Sequence, residues 1–248
     1  MVEDVNLEKI STGSFDLNDF LEGGYERDII TMIAGPPGSG KTNLGILAAC
    51  SQANKDKKVI FVDSEGGFSL DRVKQIVGDK YESILGNILL FEPTSFKEQA
   101  ESFKKLLEHV KKGHVDLIVI DSMAMLYRLE LGDAVKSGKS QRIQNVNREI
   151  AQQMRDLAEI SRKQKIPVLI TNQVYSNFVS WEDRKKILEV GTNIIGGDLF
   201  KYWCKCILEL KKESGQRKVV LLKHRSLPEK EMNFEIKENG IFKKKGWL

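Results

Sequence analysis

Short apolar runs at residues 29–34, 59–63, 88–91, 117–121 and 168–171 recur along the chain, each continuous and often β-branched. Runs of that kind suit strands buried on both faces of a parallel sheet, since a half-exposed strand alternates apolar with polar. The segments between them repeat at helical spacing. Phe96, Ala100, Phe103, Leu107 and Val110 fall on one face, and Ser95 with Glu98 supplies a capping box where that face begins. A second helix is predicted over about 140–164, with Ile143, Val146, Ile150, Met154 and Leu157 inward and Arg148, Gln152 and Arg155 outward. Pro167 then opens the next strand.

After residue 205 the pattern changes. Two strand-like runs, 207–211 and 218–223, flank a polar turn with Gly215, and another pair brackets Asn239-Gly240, a strong hairpin signal. The expected fold is therefore α/β: a mostly parallel sheet flanked by helices, closed by C-terminal antiparallel hairpins.

A length of 248 residues with 41% hydrophobic content suits one well-filled core, read as a single domain over 1–248. No apolar stretch approaches the roughly 18 residues that span a bilayer, and the N-terminus lacks a signal-peptide pattern, so a cytoplasmic protein is expected. Three cysteines do not suggest a disulfide framework; Cys204 and Cys206, alternating in a strand, are expected on one face as core thiols. The net charge of +4 permits nucleic-acid binding without requiring it.

Chemistry enters at Gly35-Pro36-Pro37-Gly38-Ser39-Gly40-Lys41-Thr42, which fits G-x-x-x-x-G-K-[ST] between an apolar strand and the helical run 43–53 beginning at Asn43. Glycines let such a loop wrap phosphates with backbone N–H groups, while Lys41 neutralises the β- and γ-phosphates and Thr42 ligates Mg²⁺. ATP with Mg²⁺ is the cofactor this motif implies. Asp121 ends a buried strand where a carboxylate faces such a loop, although strand-end Asp residues also serve as helix caps. Glu65, in Asp63-Ser64-Glu65-Gly66-Gly67-Phe68, is a candidate general base for the attacking water; its bland alternative is a solvated turn carboxylate. Gln173 closes Ile170-Thr171-Asn172-Gln173, either as a γ-phosphate sensor or as an ordinary turn amide.

Taken in order, Ser11-Thr12-Gly13, the Asp63–Phe68 segment followed by Arg72, Asp121-Ser122 and Ile170-Thr171-Asn172-Gln173-Val174 resemble the RecA/RadA family of recombinases, from about residue 10 to 241. Glu65-Gly66-Gly67-Phe68-Ser69, Phe96-Lys97-Glu98-Gln99 and Lys223-His224-Arg225 are similar to a short archaeal branch of that family. With so few residues before the phosphate loop, the family's N-terminal helical DNA-binding domain is not expected in this chain. The resemblance implies a RecA-like ATPase core, with Glu65, Lys41 and Gln173 catalytic and Arg72 packed on adenine. Lys223 and Arg225 would reach the ATP of a neighbouring subunit in a homo-oligomer, and Pro228 would lie in a nucleotide cap. It also implies partners: single-stranded DNA, the RadA recombinase and a Holliday-junction resolvase.

Family members meet DNA through two loops. Here the first, residues 128–142, holds Lys136, Lys139 and Arg142 beside Glu130 and Asp133; the second, 174–193, interleaves Tyr175, Phe178 and Trp181 with Arg184, Lys185 and Lys186. Rings stack on bases while cations follow phosphates, and the same rings also suit packing against protein. The expected function is an accessory, weakly hydrolysing ATPase of recombination and repair. The alternatives are a KaiC-like regulatory ATPase that acts through protein association, and a full strand-exchange recombinase.

Overall fold

A computed structural model describes residues 9–174, 197–213 and 215–244. The chain runs β1 (Lys9–Ile10), α1 (Phe15–Phe20), β2 (Tyr25–Glu26), β3 (Ile30–Gly35), α2 (Lys41–Ala53), β4 (Lys58–Asp63), α3 (Leu70–Val77), α4 (Tyr81–Leu85), β5 (Ile88–Phe91), α5 (Phe96–Lys112), β6 (Val115–Asp121), α6 (Met125–Lys136), α7 (Ser140–Gln164) and β7 (Val168–Gln173). It ends with α8 (Asp198–Trp203), β8 (Cys204–Glu213), β9 (Gln216–Lys223), β10 (Lys230–Lys237) and β11 (Gly240–Lys243). One nine-stranded sheet, in the order β11-β10-β9-β8-β3-β7-β6-β4-β5, carries the fold. The stretch from β5 to β8 is parallel, and β9 to β11 pair antiparallel. The α/β fold with its C-terminal hairpins is as the apolar pattern predicts.

Alternate residues of the central strands face opposite layers. Ile30, Met32, Ile118, Ile120, Val168 and Ile170 join one apolar cluster with Phe103 and Leu106 of α5 and Ile150, Met154 and Leu157 of α7. Ile33, Phe61, Val119 and Leu169 join the other with Leu44, Leu47 and Ala48 of α2. Each such side chain, fully buried, contributes about 1.5–3 kcal/mol, so the sheet's centre is the least deformable part of the molecule. The tips of β3, β4, β6 and β7 inherit that rigidity.

Several expectations need correction. Residues 128–142 are not a loop: they make up most of α6, a short turn and the start of α7. Leu126, Tyr127 and Ala134, with Leu131 packed against the same cluster, form a short apolar stripe that buries α6 on α5 and α7. Lys136 and Arg142 are drawn to Asp133 (3.9 Å) and Glu130 (2.9 Å), while Lys139 precedes α7. The box at α5 forms with one addition: Ser95 Oγ accepts from Glu98 N at 3.2 Å, and the Glu98 carboxylate takes the Ser95 backbone N–H and, more strongly, Thr94 N at 2.7 Å.

Cys204 and Cys206 lie on opposite faces, not on one. Cys204 pairs with Ile30 and Cys206 with Thr31, so Lys205 is an extra residue in a bulge that reverses the alternation. Both are buried free thiols, as expected. Among the described residues, no helix is long and apolar enough to cross a membrane.

Candidate functional site

The strand register brings the singled-out residues to one edge of the sheet. Gly35 is opposite Gln173 and Asp63 opposite Asp121, so the C-terminal ends of β3, β7, β6 and β4 stand side by side. Crevices at that edge are where open α/β sheets take ligands. The loop 36–40 leaves β3 there and enters α2. Gly40 has φ 112°, a left-handed conformation reserved for glycine, and a Cβ at this position would stand 2.8 Å from Ile236 Cδ1 of β10.

Lys41 is 6% exposed and donates to the carbonyls of Gly35 (3.0 Å) and Pro36 (3.1 Å), folding over the loop it follows. Burial pushes its ammonium below the ordinary lysine value, and the Glu65 and Asp121 carboxylates oppose that shift. Lys41 therefore already senses the carboxylates expected to share its site.

Asp121 is 1% exposed. One carboxylate oxygen accepts the Thr171 hydroxyl, Thr42 hydrogen-bonds to the same group, and Oδ2 has no partner among the described residues. Burial holds its proton above the usual carboxylate range; the bonds from Thr171 and Thr42 oppose this, and the charges of Glu65 and Asp63 add to it. Ser39 Oγ, within the loop, is likewise buried without a partner. Buried polar atoms are normally paired, so two orphans beside one glycine loop mark a place for a polar ligand. Thr42 and Asp121 offer one hydroxyl and one carboxylate, which suits a hard divalent cation whose shell phosphates and water complete. The residues fit ATP with Mg²⁺.

Asp63 shapes the adjacent loop. Its carboxylate accepts from the backbone N–H of Glu65 (3.2 Å), Gly67 (3.1 Å) and Phe68 (2.7 Å), folding the segment so that Gly67 lies against Thr42. A Cβ on Gly67 would stand 3.1 Å from Thr42 Cγ2. Ser64 joins the neighbouring strand tip: its N–H donates to Asp121 O (2.6 Å), and its Oγ accepts from Ser122 N (2.8 Å). Glu65 is left at the surface, where its Oε1 accepts from Gln173 Nε2 at 2.9 Å. The two residues expected to act on water and to sense phosphate, 108 positions apart, touch.

The sequence of the Rad51 family matches residues 4–244. A protein from Methanobrevibacter smithii named DNA repair and recombination protein RadB is 41% identical, over 94% of this chain and 95% of the relative. The RadB of Methanocaldococcus jannaschii is 36% identical, over 91% and 98%. A crystal structure of the RadB recombinase superposes with a TM-score of 0.71 at 34% identity, covering 93% of this chain and 97% of that one. The chain belongs to the RadB group of the Rad51 family.

For this RadB-group chain, the remaining site residues divide by place. Pro36, Pro37 and Gly38 belong to the glycine loop between β3 and α2, and Asn43 to the first turn of α2. Arg72 lies on α3 and donates to the Glu238 carbonyl (2.8 Å) and to Gln75 (3.0 Å), holding the β10–β11 turn. Lys223 is level with Met32 in mid-β3 through its pairing with Ile207, and Arg225, bonded to Asp28, lies beyond the start of β3, so both are set back from the 36–40 loop of their own chain.

Lys223 Nζ donates to Lys201 O at 2.8 Å. Arg225 clamps both Asp28 oxygens (3.0 and 2.8 Å) and reaches Glu26 (3.1 Å). Its guanidinium holds Asp28 below the ordinary aspartate value. Arg225 is thus engaged within its own chain, where a partner role would need it released. His224 Nδ1 accepts from Ser226 N and Leu227 N, shaping the turn that carries exposed Pro228. Phe178, Trp181, Arg184, Lys185 and Lys186 lie outside the described residues.

Sequence reasoning missed Lys212. A Cβ at Gly38 would be 3.7 Å from Lys212 Nζ, so β8 delivers a second cation over the loop. Ser64, Asp63 and Thr171 were also overlooked as the residues that set the carboxylates in place. Their signal was present, since each is polar in an apolar strand or at its tip and so needs a buried partner.

Proposed function

We propose that this chain binds ATP with Mg²⁺ at the glycine loop, hydrolyses it slowly, binds single-stranded DNA, and serves recombination and repair in the cytoplasm as an accessory to the main recombinase. The observation that supports this most is the buried, half-partnered Asp121 beside Thr42, Lys41 and the Glu65–Gln173 pair at one sheet edge. Lys41 and the loop N–H groups bind phosphate, and Thr42 with Asp121 holds the cation, which supplies charge neutralisation when bound. Glu65 takes the proton from the attacking water. Gln173, shared between Glu65 and a γ-phosphate, reports which nucleotide is present and passes that state into the segment that follows it. Phe178, Trp181 and residues 184–186 in that segment are the proposed DNA contact, with Lys136, Lys139 and Arg142 as a secondary basic face. Homo-oligomerisation, the RadA recombinase and a Holliday-junction resolvase are the proposed protein contacts.

The test is polarisation of a labelled oligonucleotide across a salt series, with and without ATP. DNA affinity should rise with ATP and fall linearly with salt on a logarithmic scale. A chain that hydrolyses ATP but binds no oligonucleotide at low salt would favour a KaiC-like regulator. Strand exchange by the chain alone would make it a full recombinase.

A further inference from the structure

The edge of the sheet opposite the phosphate loop carries a second feature suited to a polyanion. Helix α8 ends there on β8, and its Tyr202 is 68% exposed, among the most exposed large hydrophobic side chains described. A tyrosine with both ring faces covered would not retain that exposure, so one face is largely open. Trp203 meets it edge-on at 5.3 Å and 85°, fixing the ring's setting.

One cation lies beside the ring and a second at the helix backbone next to it. Lys205 Nζ lies 5.5 Å from the Tyr202 ring centre and donates to Tyr202 O at 3.2 Å, while Lys223 Nζ reaches across from β9 to Lys201 O. Lys205 is the extra residue of the β8 bulge, and bulges re-aim side chains at a local loss of ladder pairing. With regular pairing, Lys205 would alternate with its neighbours into the apolar layers; with the bulge, both flanking cysteines stay buried and the lysine stays outside beside the ring. Lys205 and Lys223 also satisfy the last carbonyls of α8, which accounts for one donor of each ammonium; among the described residues the other donors meet no acceptor and can bond phosphate.

We propose that Tyr202, Lys205 and Lys223 form a second contact for single-stranded nucleic acid, on the far edge of the sheet from the nucleotide site. An open ring stacks on an unpaired base while the ammoniums follow its phosphates, whereas a duplex keeps its base faces hidden. The surface deepens the nucleic-acid reading of this chain and rests on it. It is independent of the segment after Gln173.

The experiment uses the whole chain with fluorescein-labelled oligothymidylate, read by polarisation at several salt concentrations. Tyr202→Ala should weaken binding about 5- to 100-fold, and Tyr202→Trp should restore it, because the loss is of a stacking face. Lys205→Ala should flatten the salt slope by about one unit. An iodouridine-substituted oligonucleotide should photocrosslink to the peptide bearing Tyr202. These side chains are exposed, so melting temperatures should match the parent. Parent-like binding by Tyr202→Ala, with binding lost in Phe178→Ala/Trp181→Ala, overturns this surface and leaves the general reading intact. No binding by the parent overturns both. A change in scattering mass without a change in oligonucleotide affinity would make the patch a contact between copies, and the proposal would fall.

Discussion

Replacing Asp121 with asparagine separates what this residue does for the folded chain from what it does for a ligand. The carboxyl is buried, one oxygen takes the Thr171 hydroxyl, and the other has no partner. Asparagine keeps the shape and an acceptor for Thr171 while removing the buried charge. A buried unpaired polar group costs about 1–3 kcal/mol and a charged one more, so exchanging the charge for a neutral amide, whose own N–H₂ stands in the same unpaired place, should stabilise the ligand-free protein by about 1–2 kcal/mol. For a chain of this size that is a rise of roughly 2–8 °C in melting temperature.

With ATP and Mg²⁺ at about 100 times Kd, the parent should gain about 2.7 kcal/mol through linkage. The variant, with no anionic ligand for the cation, should gain much less, so the order of melting temperatures reverses. The pH dependence has a defined sign. Because burial raises the Asp121 pKa in the folded state, the folded chain holds the extra proton between the ordinary aspartate range and the raised value. Stability of the parent therefore falls as pH rises through that interval, and Asp121→Asn lacks the slope. Circular-dichroism melts across pH, with and without nucleotide, read all of this. An asparagine variant less stable than the parent when ligand-free, yet stabilised equally by ATP and Mg²⁺, would refute the reasoning.

Other outcomes follow from the same geometry. Glu65→Gln keeps an acceptor for Gln173 Nε2 but cannot take a proton, so kcat should fall with nucleotide affinity nearly unchanged; equal turnover would reject the base role. Lys212→Ala should weaken nucleotide binding by up to about 5-fold at low salt and less at high salt, with the free protein's melting temperature unchanged, in calorimetry and melts. Arg225→Ala should cost about 1–2 kcal/mol in urea unfolding, after allowance for solvent screening, and Arg225→Lys should not rescue it because lysine cannot span both Asp28 oxygens. A rescue by lysine would reduce the clamp to simple charge.

The sheet and the setting of the glycine loop were legible because their signals are local: a buried strand declares itself in five residues, and the loop stands between the strand and the helix expected on either side of it. The Glu65–Gln173 contact was legible only as two strand ends, since sheet register, not sequence distance, brings them together. Lys212 was hidden for the same reason, reaching the loop from a strand far along the chain. Helix α6 was obscured because the family resemblance puts a DNA-binding loop at residues 128–142, and its short apolar stripe tells only once it is packed on α7. The reversal at Cys204 and Cys206 could not be read at all, because a single bulged residue shifts the face without changing composition. Arg225 shows another limit: its motif suggests a neighbour, and the sequence does not foretell that the folded chain also holds it on Asp28 and Glu26.

The claim on which the rest depends is that the Gly35–Thr42 loop is where a nucleotide's phosphates sit. Isothermal titration of ATP with Mg²⁺ into the parent and into Lys41→Ala tests it most directly. The account predicts one site per chain in the parent and at least about 10-fold weaker binding in the variant, which loses the buried ammonium over the loop. Equal affinity in the two proteins would contradict it.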